Sequence, residues 1–280
     1  CGAAKYGQDN FWYDFEPLAT ACEMDAADTL DVTASVTASA DVTTDRRPEQ
    51  ERFWDDNVFK MVVVHGTDSS SSLDPDDTGV RQYLRFQEQL KSSYEGTVTK
   101  GDTSSDIYED WSFKAAVPKL GGGEGTLEVT MLLTSSLNYI GSQFDKRYDE
   151  LSADADVIVY AGHSGLSKNI KALAKRGVVA PGHYQVFFFD GCSTFTYLDD
   201  SMAARRIEVN GSETDPHGTK FLDLIVNAQP SPWYAGSSNL TTIVSKLADD
   251  RLHSYADILD GINTSGMPLV AGEQDNPTAP

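Results

Sequence analysis

The chain runs to 280 residues, 40% of them hydrophobic and 10% aromatic, which supplies a sizeable core and rules out a disordered polymer. No apolar run approaches the roughly 18 residues that a membrane-spanning helix needs. Forty-three Asp and Glu against 22 Lys and Arg leave a formal net charge of −21 at pH 7, a field that repels phosphate backbones, excludes nucleic acid as a partner class and draws basic peptides. The same charge suits an exported or salt-exposed protein.

In chain order, the sequence opens on Cys1-Gly2-Ala3-Ala4, a start that resembles mature bacterial lipoproteins, where signal-peptide removal leaves a lipid-bearing Cys. A Cys1–Cys22 disulfide in an oxidising compartment, or an arbitrary chain start, are the alternatives. Lipid and disulfide alike predict an exported protein, either a cell-surface or periplasmic lipoprotein or a secreted one, and both leave Cys192 outside any disulfide. Membrane contact is expected only through lipid on Cys1. Residues 1–50 differ from the rest. An aromatic patch, FWYDF (11–15), precedes DTLDVTASVTASADVTT (28–44), where Val alternates with Thr, Ala and Ser. That pattern fits an exposed strand or hairpin, a flexible stalk, or an edge strand packed on the domain. Arg46-Arg47-Pro48 breaks it, dividing an N-terminal extension (1–50) from a main domain (51–275).

Strand and helix signals then alternate. FKMVVVHG (59–66) reads as a buried strand, VRQYLRFQEQLKSSY (80–94) as a helix, and the polar stretch 97–125, ending in GGGEG, as a hairpin-like or mobile insertion. TLEVTMLL (126–133) is the second strand and YIGSQFDKRYDELS (139–152) the second helix. ADVIVYAG (155–162) is the third strand, followed by a short helix, NIKALAKRG (169–177), closed by Gly177. YQVFFFDG (184–191) is the fourth strand. A charged, surface-like stretch leads to FLDLIVN (221–227), the fifth, and two helices follow at 237–251 and 253–263. Successive β–α units predict an α/β fold with a mostly parallel sheet covered on both faces.

In such sheets the chemistry collects just past the carboxyl ends of the strands. Three strands end there in reactive groups: His65-Gly66, Gly162-His163-Ser164-Gly165 and Asp190-Gly191-Cys192-Ser193. If the third and fourth strands are neighbours, His163 and Cys192 meet at one rim. A thiol becomes a strong nucleophile once an adjacent imidazole takes its proton or stabilises its charge. Flanking glycines let the backbone turn sharply and present N–H groups to a substrate carbonyl.

VIVYAGHSG (157–165) followed by VFFFDGCST (186–194) resembles the caspase-like cysteine peptidases, above all metacaspases and related bacterial enzymes of the gingipain and clostripain type. Element order is similar over roughly residues 55–265; the motif itself covers only 157–165 and 185–194. The resemblance implies a three-layer sandwich, His163 as catalytic histidine and Cys192 as nucleophile. It also implies an oxyanion hole from the backbone N–H groups of Ser164 and Cys192, and a pocket for Arg or Lys that includes Asp190. The partner would be a peptide or protein substrate, basic at the cleavage point. Two departures stand out: His163-Ser164-Gly165 replaces the family's His-Gly, and Ser-Thr-Phe replaces the metacaspase His-Ser-Gly after the nucleophile. A catalytically silent surface binding protein, using the aromatic patch and Trp233-Tyr234, is one alternative.

A serine hydrolase with Ser164 as nucleophile is the other; Gly-x-Ser-x-Gly requires Gly where Leu166 stands. In NAQPSPWY (227–234), Pro232 and Trp233 are candidate pocket walls, with core packing the competing role for Trp233. His65 reads as a structural group or a cleft wall, and His183, His217 and His253 lack zinc-ligand spacing. Asp68, Asp74, Asp76 and Asp77 share one loop. Some caspase relatives need calcium, but the spacing fails the EF-hand pattern, so a solvated acidic loop with no metal or cofactor is expected. Arg205-Arg206 is a candidate self-cleavage site.

Overall fold

The computed structural model describes residues 46–280 apart from 70–71, 263, 273–275 and 278–280; before residue 46 it describes the backbone of 2–7 and 10–15 and residues 27, 30, 32, 33 and 35. Two compact units divide the chain, Cys1–Thr43 and Thr44–Pro280. In the first, β1 (Gly2–Gly7) and β2 (Asn10–Phe15) pair as an antiparallel hairpin with Gly7 opposite Asn10. Cys1, Cys22, the FWYDF side chains and nearly all of 28–44 lie outside the described residues. Residues 46–50 belong to the second unit. Arg47 and Gln50 are buried there, the Arg47 N–H donating to the Pro277 carbonyl (3.0 Å) and the Gln50 amide to the Lys246 carbonyl (3.0 Å).

The second unit is a three-layer α/β sandwich around one mixed, mostly parallel sheet of eight strands. Its strands are β3 (Val58–Gly66), β4 (Gly96–Lys100), β5 (Glu109–Pro118), β6 (Glu124–Thr134), β7 (Val157–Ala161), β8 (Gln185–Asp190), β9 (Leu222–Asn227) and β10 (Pro268–Ala271). They lie in the order β10-β9-β8-β7-β3-β6-β5-β4. The central strands β9, β8, β7, β3 and β6 are parallel; β10, β5 and β4 extend the two sides antiparallel. The helices are α1 (Thr78–Ser93), α2 (Ser142–Ser152), α3 (Lys168–Ala174), α4 (Ser201–Asn210), α5 (Gly236–Leu247) and α6 (Tyr255–Gly261).

Both faces of the parallel strands are covered, which is why their sequences are continuously apolar. Period-two alternation sorts them. Phe59, Met61, Val63, Val157, Val159, Val186 and Phe188 pack with Val80, Tyr83 and Phe86 of α1 and Leu240, Ile243 and Val244 of α5. Their sequence neighbours Val62, Val64, Ile158, Tyr160, Phe187 and Phe189 pack with Phe144 and Tyr148 of α2, Ile170 and Leu173 of α3 and Met202 of α4. From β3 the chain passes to β6 on one side and returns to β7 on the other. The carboxyl ends of β3 and β7 therefore flank the point where strand order reverses, the place where such sheets open a crevice.

Two stretches outside the expected strands and helices are regular. Of the two alternatives for 97–125, the hairpin-like one agrees with the structure. The region forms β4 and β5, and Trp111, Phe113, Ala115 and Val117 bury the inner face of β5. The charged stretch after β8 contains α4, with Met202 and Arg206 buried one turn apart. That helix disposes of the self-cleavage site. Arg205 donates to the carbonyls of Ala174, Arg176 and Gly177, while Arg206 is 2% exposed and bonds Gln185 (2.9 Å). A protease needs an extended, accessible chain, and this segment offers neither.

Candidate active site

Strands β7 and β8 pair in parallel with Ala161 opposite Asp190, and the Gly162 N–H continues the ladder to the Asp190 carbonyl (3.1 Å). Two residues further on, one strand end delivers His163 and the other Cys192. The two turns are laced together, because the buried Ser164 hydroxyl donates to the Cys192 carbonyl. They approach so closely that a Cβ on Gly191 would lie 2.7 Å from the Gly162 carbonyl oxygen and 3.0 Å from Ser164 Oγ. Only glycine fits there. Left-handed backbone at Gly165 (φ 59°), Leu166 (φ 51°), Ser167 (φ 81°) and Ser193 (φ 52°) turns both chains away from the sheet; for the non-glycine residues this conformation is strained and belongs typically to functional turns.

The half-buried Cys192 thiol lies with Sγ 3.6 Å from the Ser231 carbonyl oxygen. His163 is held on two sides. Its Nε2 lies 2.8 Å from Asp68 Oδ1, and the Trp233 ring meets the imidazole edge-on with centroids 4.4 Å apart. A carboxylate at Nε2 fixes the tautomer with the proton on that nitrogen and leaves Nδ1 as the basic one. The loop is pinned from behind: Asn169 donates to the His163 carbonyl (2.8 Å) and accepts from Ser136 Oγ (2.8 Å) and the Asn138 N–H (3.2 Å).

Asp68 is the site residue that sequence reasoning assigned to a solvated loop. Three of the four carboxylates of that loop have separate described partners. Asp77 caps α1 through Val80 N–H (3.0 Å) and also accepts from the N–H groups of Asp68 (3.0 Å) and Ser69 (2.9 Å); Asp74 accepts from Asp76 N–H (3.0 Å). Asp77 is buried, and through it the start of α1 positions the carboxylate that faces His163. Replacing Asp77 with Ala is expected to cost about 1–2 kcal/mol as a lost helix cap, a drop of roughly 2–4 °C in Tm for each kcal/mol at this domain size. Asp68→Ala should leave Tm within about 1 °C, since exposed substitutions change stability little. Differential scanning calorimetry of the two variants checks the contrast.

Beside Cys192 lies a narrow pocket, about 20 Å³ of it open to a water-sized sphere, lined by His65, Gln82, Gly162, Asp190, Ser231 and Trp233, among others. Its floor carries a buried carboxylate. Asp190 Oδ1 accepts from Ser231 Oγ (3.0 Å) and Asn227 Nδ2 (3.4 Å), and Oδ2 accepts from Asn239 Nδ2 (3.0 Å). Burial pushes its pKa above the ordinary carboxylate range, and the three donors oppose that rise only in part. His65, wholly buried against the edge of Tyr83, is pushed down to about 4 by desolvation and stays neutral at pH 7. It is a pocket wall. Ser231, Asn227 and Asn239 carry no motif that would have marked them in sequence; their positions at the end of β9, in the loop after it and in α5 are the signal.

Among the described residues, no group of three or more His, Cys, Asp or Glu side chains is arranged to hold a metal ion, and no helix is long and apolar enough to cross a membrane. No protein-family model and no curated protein matches the chain.

Proposed function

We propose that this chain is a cysteine endopeptidase of the caspase-like type that cleaves polypeptides after Arg or Lys, with Cys192 as nucleophile and His163 as the group that takes up and returns the proton. The observation that carries the reading is Asp190: a buried carboxylate in a pocket beside a thiol, whose described hydrogen bonds all come from neutral donors. A buried charge so placed is costly until a cation meets it, and an Arg or Lys side chain that widens the narrow pocket supplies that cation. The net charge of −21 raises the local concentration of basic substrates.

In the proposed reaction, His163 Nδ1 accepts the Cys192 proton as Sγ bonds to the carbonyl carbon. The imidazolium, stabilised by Asp68, then protonates the amine as the C–N bond breaks, leaving a thioester. Water attacks the thioester carbonyl and gives one proton to His163; as the C–S bond breaks, His163 passes that proton to the sulfur, and the acid product leaves as its carboxylate, its proton going to solvent. Backbone N–H groups of Ser164 and Cys192 are assigned to the carbonyl oxygen. Ser164 suits this role better than that of nucleophile, because its buried hydroxyl is committed to the Cys192 carbonyl. Fluorogenic peptides ending in Arg, Lys or Asp, given to wild type and to Cys192→Ala, test the proposal. Hydrolysis of the Arg and Lys peptides by wild type alone supports it. Cleavage of none of them would favour a silent binding protein, and cleavage that survives in Cys192→Ala but not in Ser164→Ala would favour the serine hydrolase.

A further inference from the structure

We infer that the site has an apolar shelf on its leaving-group side, formed by Tyr139, Leu166 and Phe195, and that it receives large apolar residues immediately after the cleaved bond. The inference rests on the peptidase reading and adds a second element of substrate choice to it. Its first support is exposure: Tyr139 is 80%, Leu166 46% and Phe195 48% exposed, three of the eleven large apolar residues that lie open to solvent among the described residues. The second is placement. These residues lie in the turns that follow β6, β7 and β8, so three loops at the carboxyl rim each present one. Leu166 stands three residues past His163, and Phe195 three past Cys192. Asn169 fastens the loop of Tyr139 to that of His163 by bonding Ser136, Asn138 and the His163 carbonyl.

Backbone strain is the third support. Leu166 holds φ 51° and Ser167 φ 81°, a conformation disfavoured for side chains larger than glycine, and the Leu side chain it displays points to solvent rather than into the core. Neither packing nor solubility explains that cost, whereas contact with a bound chain does.

Geometry separates the two ends of the substrate. The pocket containing Asp190 is lined from the side of α1 and the β9–α5 loop, through Gln82, Ser231, Trp233 and Gly236, whereas Leu166 and Phe195 lead toward α3 and α4 in the opposite layer. The acyl half is thus held on the pocket side. The amine protonated by His163 must leave beside that residue, and Leu166 follows it by three residues in the same turn. A polypeptide crossing the rim therefore lays the residues after its cleaved bond over the shelf.

The test compares internally quenched peptides with Arg followed by Phe-Leu or by Ser-Gly, and an Arg-aminocoumarin substrate that has no residue after the bond. Wild type should prefer Phe-Leu over Ser-Gly by about 10-fold or more in kcat/KM, the usual worth of one large apolar group. The pair Leu166→Gly and Phe195→Ser should erase that preference, measured in each enzyme relative to its own coumarin rate; Leu166→Gly also relieves the backbone. Equal rates on the two quenched peptides in wild type, or a preference that survives the double variant, would overturn the shelf while leaving the peptidase reading intact. Failure to cleave even the coumarin substrate would defeat both. A wild-type dimer in sedimentation that the double variant dissolves would assign the shelf to self-association and overturn the inference as well.

Discussion

Cys192→Ala, His163→Ala and the double variant are expected to lose hydrolysis of an Arg-terminated peptide by the same factor, on the order of 10⁴-fold or more. In the proposed reaction thiol and imidazole act as one unit: without the imidazole the sulfur keeps its proton, and without the sulfur the imidazole has nothing to activate. Removing the second group therefore costs little once the first is gone. The coupling follows from the pairing of β7 with β8, which delivers the two side chains from matching register positions, and from the Ser164–Cys192 hydrogen bond that keeps the turns together. Steady-state kinetics on the three variants, with circular dichroism to show that each is folded, checks the expectation. Independent, multiplying losses would mean that the two groups do not share a step. Alkylation by iodoacetamide adds a readout that needs no substrate. Cys192 should react far faster at pH 7 than a thiol of ordinary pKa near 8.5, and His163→Ala should slow it.

Asp190→Asn should lower kcat/KM for Arg and Lys peptides by about 100- to 1,000-fold, the cost of leaving a desolvated cation without its counter-charge. The same substitution should not destabilise the protein at neutral pH. Burial raises the Asp190 pKa in the folded state, so the folded chain favours the protonated carboxyl. The stability this contributes is fully present below the ordinary carboxylate pKa and is lost as pH rises through the raised value. At pH 7 the ionised group is a burden that Asn lacks, and Tm of Asp190→Asn should equal or exceed that of wild type. Function has the opposite pH dependence. In the proposed reaction the pocket needs the charged form, so kcat/KM for cationic peptides should fall on acidification through the raised pKa, and Asn should remove that limb of the profile. Thermal melts and pH–rate curves on the two proteins read both effects. A variant that loses stability at pH 7 and keeps its activity would show that Asp190 is a structural group.

The sheet was legible because its central strands are covered on both faces. A strand such as YQVFFFD has to be continuously apolar, and a continuous apolar run between loop signals is visible without any partner. β5 escaped because it is covered on one side only. In EDWSFKAAVP the alternation of Trp111, Phe113, Ala115 and Val117 is present, but the intervening Ser112, Lys114 and Ala116 and the polar flanks hide it. α4 was hidden by its two arginines, since Arg206 is buried over the Phe187 ring and reads as surface by composition. At the site, His163, Cys192, Asp190 and Trp233 stand where strand ends and short motifs placed them, and the structure brings them to one rim. Asp68 escaped because its role depends on a contact 95 residues away in sequence, which no local pattern encodes. The same holds for Asn239, which reaches Asp190 from α5 across 49 residues.

The edge-on packing of Trp233 against His163 has a practical consequence. Indole emission is quenched by a nearby imidazolium more than by neutral imidazole, and it shifts in wavelength when a ligand displaces water from the ring. Trp54 and Trp111 are buried in the apolar layer, far less open to either influence. The rim thus carries an intrinsic optical reporter that senses the charge on the histidine and the occupancy of the adjoining cavity together, without any added label.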